Sequence, residues 1–163
     1  MESVFSAKKS GLHWLWLSLI VIVADQLVKY LIRTHLLYNE SVNVFPFFNL
    51  TLAHNKGAAF SFLSEGGYWA PLLFIVTALI ISTVLCIWMY RLPPKNYWLG
   101  IGLALILGGA IGNLIDRLIF GYVIDFVHLH VANWSFPIFN IADVGITVGA
   151  LMLIIDIFKK KSP

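Results

Sequence analysis

The chain has 163 residues, of which 60% are hydrophobic and only 12% charged. A soluble domain carries about 25% charged residues, and the deficit excludes intrinsic disorder, a nucleic-acid binder and an ordinary cytosolic enzyme. The formal net charge is +3, and a single cysteine, Cys86, excludes an internal disulfide framework or a CxxC motif. One compact integral membrane unit, covering residues 1–163, is expected.

Gaps between charges mark the spans, because about 20 apolar residues cross the hydrocarbon at 1.5 Å each. The first apolar run starts at Leu12 and continues past Asp25 and Lys29, predicting a span over about 12–33. Lys8 and Lys9 ahead of it suit a signal peptide, but no small-x-small cleavage site follows, so a retained helix is expected. Next come 25 uncharged residues between Glu65 and Arg91, and 20 between Lys95 and Asp116. These predict spans near 68–90 and 97–115, and a fourth is expected over 141–158.

Basic residues gather on the cytoplasmic side of membrane proteins. Seven of the 11 (Lys8, Lys9, Arg91, Lys95, Lys159, Lys160 and Lys161) fall before span one, between spans two and three, or after span four. Both termini are therefore expected in the cytoplasm, with the long loops at 34–67 and 116–137 outside. Val42 to Leu52 reads as a short edge strand or strand pair broken at Pro46. Gly121 to Val131 alternates, with Val123, Asp125, Val127 and Leu129 on one face and Ile124, Phe126, His128 and His130 on the other. Ala58 to Leu63 could form a brief helix in the interface. The expected fold is a membrane all-α bundle of four transmembrane helices with a small extracytoplasmic β-sheet and a short interfacial helix.

An acid inside a membrane helix costs about 2.5 to 3.5 kcal/mol on insertion scales, so each needs a reason. Asp156 can pair with Lys160 at i, i+4, and Asp116 sits beside Arg117 at a helix end, near water. Asp25 and Lys29 are also i, i+4, which suits an intrahelical ion pair or a pair that orders a neighbouring polar site. Asn140 and Asp143 resemble an N-cap with an acid at N3, where the helix dipole favours an anion. Asp125 has no such account. No Lys or Arg lies within seven residues, and a carboxyl on an apolar face should stay partly protonated.

Two carboxyls in different environments suit water activation. If Asp125 and Asp143 meet, like-charge repulsion leaves them one shared proton. One can then deprotonate water while the other hydrogen-bonds a scissile carbonyl. Asp143, at a helix N-terminus, is the expected base, and Asp125 the expected resting proton carrier. Spacing alone does not show that the two meet. Asn55, Asn113 and Asn140, with Arg117 one turn after Asn113, lie at the same expected depth and suit a lined site, although each alone could be a cap or an interhelical clip. Gly108/Gly112 and Gly145/Gly149 are small-xxx-small pairs for close packing. His54, His128 and His130 have no metal-ligand spacing and read as surface residues. Neither metal nor cofactor is assigned.

Two other classes remain on residues alone. A proton-coupled membrane transporter using intramembrane carboxylates would spread polar groups through the whole depth, whereas here they gather at one end. A non-catalytic scaffold would use only the small-residue faces.

Five segments, in order, carry a resemblance: Asp25-Gln-Leu-Val-Lys29, Asn55-Lys-Gly-Ala-Ala-Phe60, Gly108-Gly-Ala-Ile-Gly-Asn-Leu-Ile-Asp-Arg117, Gly121-Tyr-Val-Ile-Asp-Phe126 and Phe136-Pro-Ile-Phe-Asn-Ile-Ala-Asp143. Together they resemble bacterial lipoprotein signal peptidase, also called signal peptidase II. The resemblance implies an aspartic endopeptidase of the bacterial inner membrane, acting on prolipoproteins whose lipobox cysteine carries a diacylglyceryl group and cutting just before it. It implies a catalytic pair at Asp125 and Asp143, polar site positions at Asn55, Asn113, Arg117 and Asn140, and a first-span motif at Asp25 and Lys29. Membrane lipid and the lipid-modified prolipoprotein are the implied partners, without metal or nucleic acid.

Overall fold

The computed structural model describes residues 10–57, 69–131 and 134–161. The expected interfacial helix at Ala58 to Leu63 lies outside the described residues.

Four helices dominate. A 3-10 turn, Gly11–Trp14, capped by Ser10, leads into α1, Leu15–His35. Then follow α2, Trp69–Arg91, α3, Tyr97–Phe120, and α4, Ile141–Lys161. Each contains a stretch long and apolar enough to cross a membrane. The third helix overruns its expected end by five residues. Asp116 and Arg117 do not stop it, because their side chains find partners inside the protein. It ends instead at Gly121, whose φ of +78° closes the helix with an N–H donated to Arg117 O, a conformation that costs glycine little.

Helix α3 is the central strut, packed by α1, α2 and α4. Its Leu99, Leu103, Ala104 and Leu107 meet Leu85 and Met89 of α2 in an apolar cluster toward one end of the bundle. Much of the rest of α2 faces outward with Leu, Ile and Val exposed, as suits a lipid-facing helix. The Gly108/Gly112 pair was expected as a packing stripe, and it turns toward α1, where Gly108 meets Ser18 and Val21. The α4 contact uses Gly102 and Gly109 instead, and a Cβ on Gly109 would collide with the Ala142 carbonyl.

A four-stranded antiparallel sheet, ordered β1-β2-β3-β4, covers the opposite end. It comprises β1, Ser41–Phe45, β2, Phe48–Asn55, β3, Val123–Val131, and β4, Trp134–Ser135. The strand-pair reading of 42–52 is the observed hairpin. Pro46 lies in the turn, where its missing N–H is not needed by the ladder. The two-residue β4 carries no sequence signal of its own.

Ile124 and Phe126 of β3 pack with Leu52 of β2 on Ile32 of α1. The strand's other face is not open to water here, because Val123 and Asp125 are buried as well. Beyond β3 the chain folds back: Phe139 exchanges hydrogen bonds with Val127 and accepts one from Phe126 N–H. That return lays the start of α4 beside Asp125.

Candidate active site

The site forms where the sheet meets the C-terminal halves of α1 and α3 and the N-terminal end of α4. Asp125 sits opposite Ala53 in the β2–β3 register, while Asn55 pairs with Val123. Asp143 lies in the first turn of α4. Its backbone N–H donates to Asn140 Oδ1 at 2.9 Å, and its Oδ2 accepts the Asn140 N–H at 3.1 Å. This reciprocal capping box satisfies two helix-end donors and fixes the carboxylate's direction.

Three amides bind the two acids into one network. Each amide's orientation is dictated by a donor that only its oxygen can accept. Asn140 Oδ1 accepts the Asp143 N–H, so its Nδ2 donates to Asp125 Oδ1 at 2.7 Å and to Asn113 Oδ1 at 3.0 Å. Asn113 Oδ1 also accepts from Lys29 Nζ at 3.0 Å, so its Nδ2 donates to Asp143 Oδ1 at 2.8 Å. Asn55 Oδ1 accepts the Gly57 N–H, so its Nδ2 donates to Asp125 Oδ2, both at 3.0 Å. Asn140 thus bonds both Asp125 and Asp143, and Asn113 adds a second link from Asn140 to Asp143.

Asp125 is 2% exposed. Burial first, and then the charge of Asp143, push its carboxyl up to about 7. Hydrogen bonds from Asn55 and Asn140 and the ammonium of Lys29 oppose the rise without cancelling it. At neutral pH a substantial fraction of Asp125 therefore carries a proton.

Arg117 reaches over the same space. Its guanidinium donates to Asn113 O and Gly57 O, each at 3.4 Å, and stands 5.0 Å from the centre of the Phe74 ring. Both Asp125 and Asp143 lie within its electrostatic reach. These groups line a cleft of about 650 Å³ whose wall also includes Tyr38, His54, Phe136 and Thr147. Such a volume suits a peptide segment or lipid-sized ligand. His54 is clamped between the rings of Tyr38 and Tyr122, at 4.5 and 4.0 Å, and so is not a free surface histidine. His128 likewise bonds Thr51 and Ser135.

Asp25 and Lys29 form the expected i, i+4 ion pair at 2.7 Å, but a third member joins them. Asp116, read from sequence as lying near water, is fully buried and meets Lys29 at 2.8 Å. Its neighbour Arg117 gave the wrong impression: the two are adjacent in the chain and point to different sides of α3. No local pattern marks Asp116 as a partner for Lys29, 87 positions away.

The arrangement lies at one end of a helical bundle whose architecture is shared with solved structures. A bacterial membrane enzyme determined by the in meso method at 2.3 Å superposes with a TM-score of 0.81 at 34% identity, over 92% of this chain and 90% of that one. Another, at 1.9 Å, gives 0.77 and 33%, over 90% and 93%. The protein thus has the architecture of an integral membrane enzyme. The family model described as signal peptidase (SPase) II matches residues 17–159. The lipoprotein signal peptidase of Pseudomonas syringae pv. tomato is 49% identical over 152 residues, covering 92% of this chain and 88% of the relative. That of Pseudomonas putida is 50% identical over 163 residues, covering 99% and 95%. The chain belongs to the signal peptidase II family.

Proposed function

We propose that this chain is an aspartic endopeptidase that removes signal peptides from diacylglyceryl-modified prolipoproteins, cutting immediately before the lipid-bearing cysteine. The observation that carries the reading is the pair Asp125 and Asp143, joined by Asn140 and Asn113 in a cleft at the end of the bundle. A signal peptide is itself a membrane helix, so its end is met at the interface rather than in mid-bilayer. The whole chain acts as a single unit, with both termini in the cytoplasm and the cleft outside.

In this mechanism Asp143 is the base and Asp125 the acid. Asp143, whose two oxygens accept hydrogen bonds from Asn113 Nδ2 and the Asn140 N–H, takes a proton from water as the oxygen attacks the scissile carbonyl. Protonated Asp125 hydrogen-bonds the carbonyl oxygen and transfers its proton to it. When the tetrahedral species collapses, Asp143 returns its proton to the leaving nitrogen and a hydroxyl proton goes back to Asp125. The dyad ends as it began. Asn55, Asn113, Arg117 and Asn140 hold the two carboxyls and the substrate carbonyl in line, while Asp25 and Lys29 support them from α1.

Purified protein in detergent is expected to cut a diacylglyceryl-modified prolipoprotein. Asp125→Asn and Asp143→Asn should each fold normally and lose cutting, and a chelator should change nothing. Activity surviving either substitution refutes the dyad, loss with chelator refutes the metal-free mechanism, and a wild type that does not cut refutes the substrate.

A further inference from the structure

We propose that Asp116, with Lys29 and Asp25, forms a buried brace that sets the separation of Asp125 and Asp143, and that Asp116 is therefore a positioning residue. The inference rests on the dyad reading above and extends it to how the dyad is held.

The three side chains are at most 2% exposed and comprise two carboxylates around one ammonium. Taking such a group out of water is expensive, and apolar packing of equal volume often holds helices as well or better. What apolar packing lacks is acceptors. Asp25 Oδ1 accepts the backbone N–H of Ala142 at 2.9 Å, the residue directly before Asp143. Asp116 Oδ2 accepts the backbone N–H of Ile124 at 3.0 Å, the residue directly before Asp125. Lys29 ties the two acceptors together and also bonds Asn113 Oδ1, which orients the amide between the acids. Gln26 Nε2 bridges the same carboxylates, at 2.9 Å from Asp116 Oδ1 and 3.4 Å from Asp25 Oδ2, and adds Gly112 O at 3.1 Å.

One cluster on α1 and α3 thus grips the strand carrying one acid and the helix carrying the other, one residue upstream in each case. None of Asp25, Lys29 and Asp116 lines the cleft itself, and the cluster reaches its wall through the Lys29–Asn113 hydrogen bond. Its effect is on distance. Two carboxyls that share a proton titrate in steps whose spacing depends on how closely they approach. If the brace loosens, the acids separate and the steps converge. The charged and titratable groups around Asp125 are Asp143 from α4, Arg117 from α3, Lys29 from α1, and His54 and Lys56 at the end of β2, with Asp116 of α3 one residue away on the Ile124 N–H. Because Asp116→Asn removes one of these charges, a charge-neutral companion variant, Gln26→Met, is needed.

The experiment measures kcat, KM and the pH profile of cutting of a diacylglyceryl-modified prolipoprotein for wild type, Asp116→Asn and Gln26→Met. Misplacing reacting groups by about 1 Å can cost on the order of 100-fold in rate. Asp116→Asn is expected to lower kcat by roughly 10- to 100-fold with KM within about twofold, and Gln26→Met by a smaller factor. In both, the acid and alkaline limbs of the profile should draw together. A folded Asp116→Asn with wild-type kcat and limb spacing overturns the brace. So does a loss in kcat matched by loss of folded protein with unmoved limbs, which is what a purely structural residue gives. If Asp116→Asn does not fold, Gln26→Met decides alone, and unchanged limb spacing there overturns the proposal. Failure of the wild type to cut, or cutting by Asp125→Asn, refutes the dyad reading instead.

Discussion

Asp125 is held against its own preference for water. Its carboxyl titrates near 7 because it is buried beside Asp143, whereas in the unfolded chain it would titrate near 3.9. A group whose folded pKa is raised contributes stability that is complete below the unfolded value and is lost as pH climbs through the folded one. Two consequences follow, one for activity and one for stability. If cutting needs the Asp125 proton, kcat/KM should fall as pH rises through about 7. Between the unfolded titration point and about 7 the native state should weaken as pH rises, by about 1.4 kcal/mol for each pH unit that separates the two titration points, and then level off. Asp125→Asn should therefore match or exceed wild type in melting temperature at pH 8, and lose that advantage near pH 5. A variant equally stable relative to wild type at both values would refute the raised titration. At this scale the sequence was informative where chemistry is local. Asn140 and Asp143 stand three apart and announce their capping box, and Asp125 stands out because nothing nearby can pair with it. Asp116 was not legible: its partner lies on another helix, and an adjacent arginine offers a false explanation.

Helix packing puts these residues where they are needed. Where α3 and α4 cross, a Cβ on Gly149 would lie against the Gly102 carbonyl and the Ile106 side chain. Small residues allow such close approach, and overfilling a packed interface costs about 1 to 3 kcal/mol. Gly149→Ala is expected to lower the melting temperature and reduce kcat, although it lies nearly two helical turns beyond Asp143, because α4 must shift to admit the methyl group. Unchanged melting and kcat would mean that the crossing tolerates separation. Helix existence was plain from the apolar runs. The pairing of glycines with neighbours was not, since the i, i+4 stripe at Gly108 and Gly112 identifies a smooth face without saying which helix meets it. That ambiguity is inherent in a central helix with neighbours on more than one side. The third helix runs past its expected end for a related reason. Charges normally stop a span, but Asp116 is neutralised by Lys29 of α1, so α3 continues to Phe120.

For the molecule as a whole, the chemistry is confined to one end. Ionic and amide groups around Lys29, Asp125 and Asp143 lie beneath the sheet, while the half of the bundle away from the sheet is closed by Leu85, Met89, Leu99, Leu103 and Leu107. A proton-conducting transporter needs polar groups through the full depth, and this leucine-rich plug does not provide them. Which face of the membrane receives the cleft then decides whether the enzyme can meet translocated substrates. In the proposed orientation, which follows the distribution of lysine and arginine, the 91–95 connection lies in the cytoplasm and the sheet outside. Two single-cysteine proteins in a Cys86→Ser background test it: Val44→Cys in β1, an exposed position, and Lys95→Cys between α2 and α3. In intact spheroplasts a membrane-impermeant maleimide should label the first, and the second only after permeabilisation. The reverse pattern would turn the dyad toward the cytoplasm, where no exported precursor has yet presented its lipid-bearing cysteine, and the proposed substrate would have to be abandoned even if the two aspartates proved catalytic.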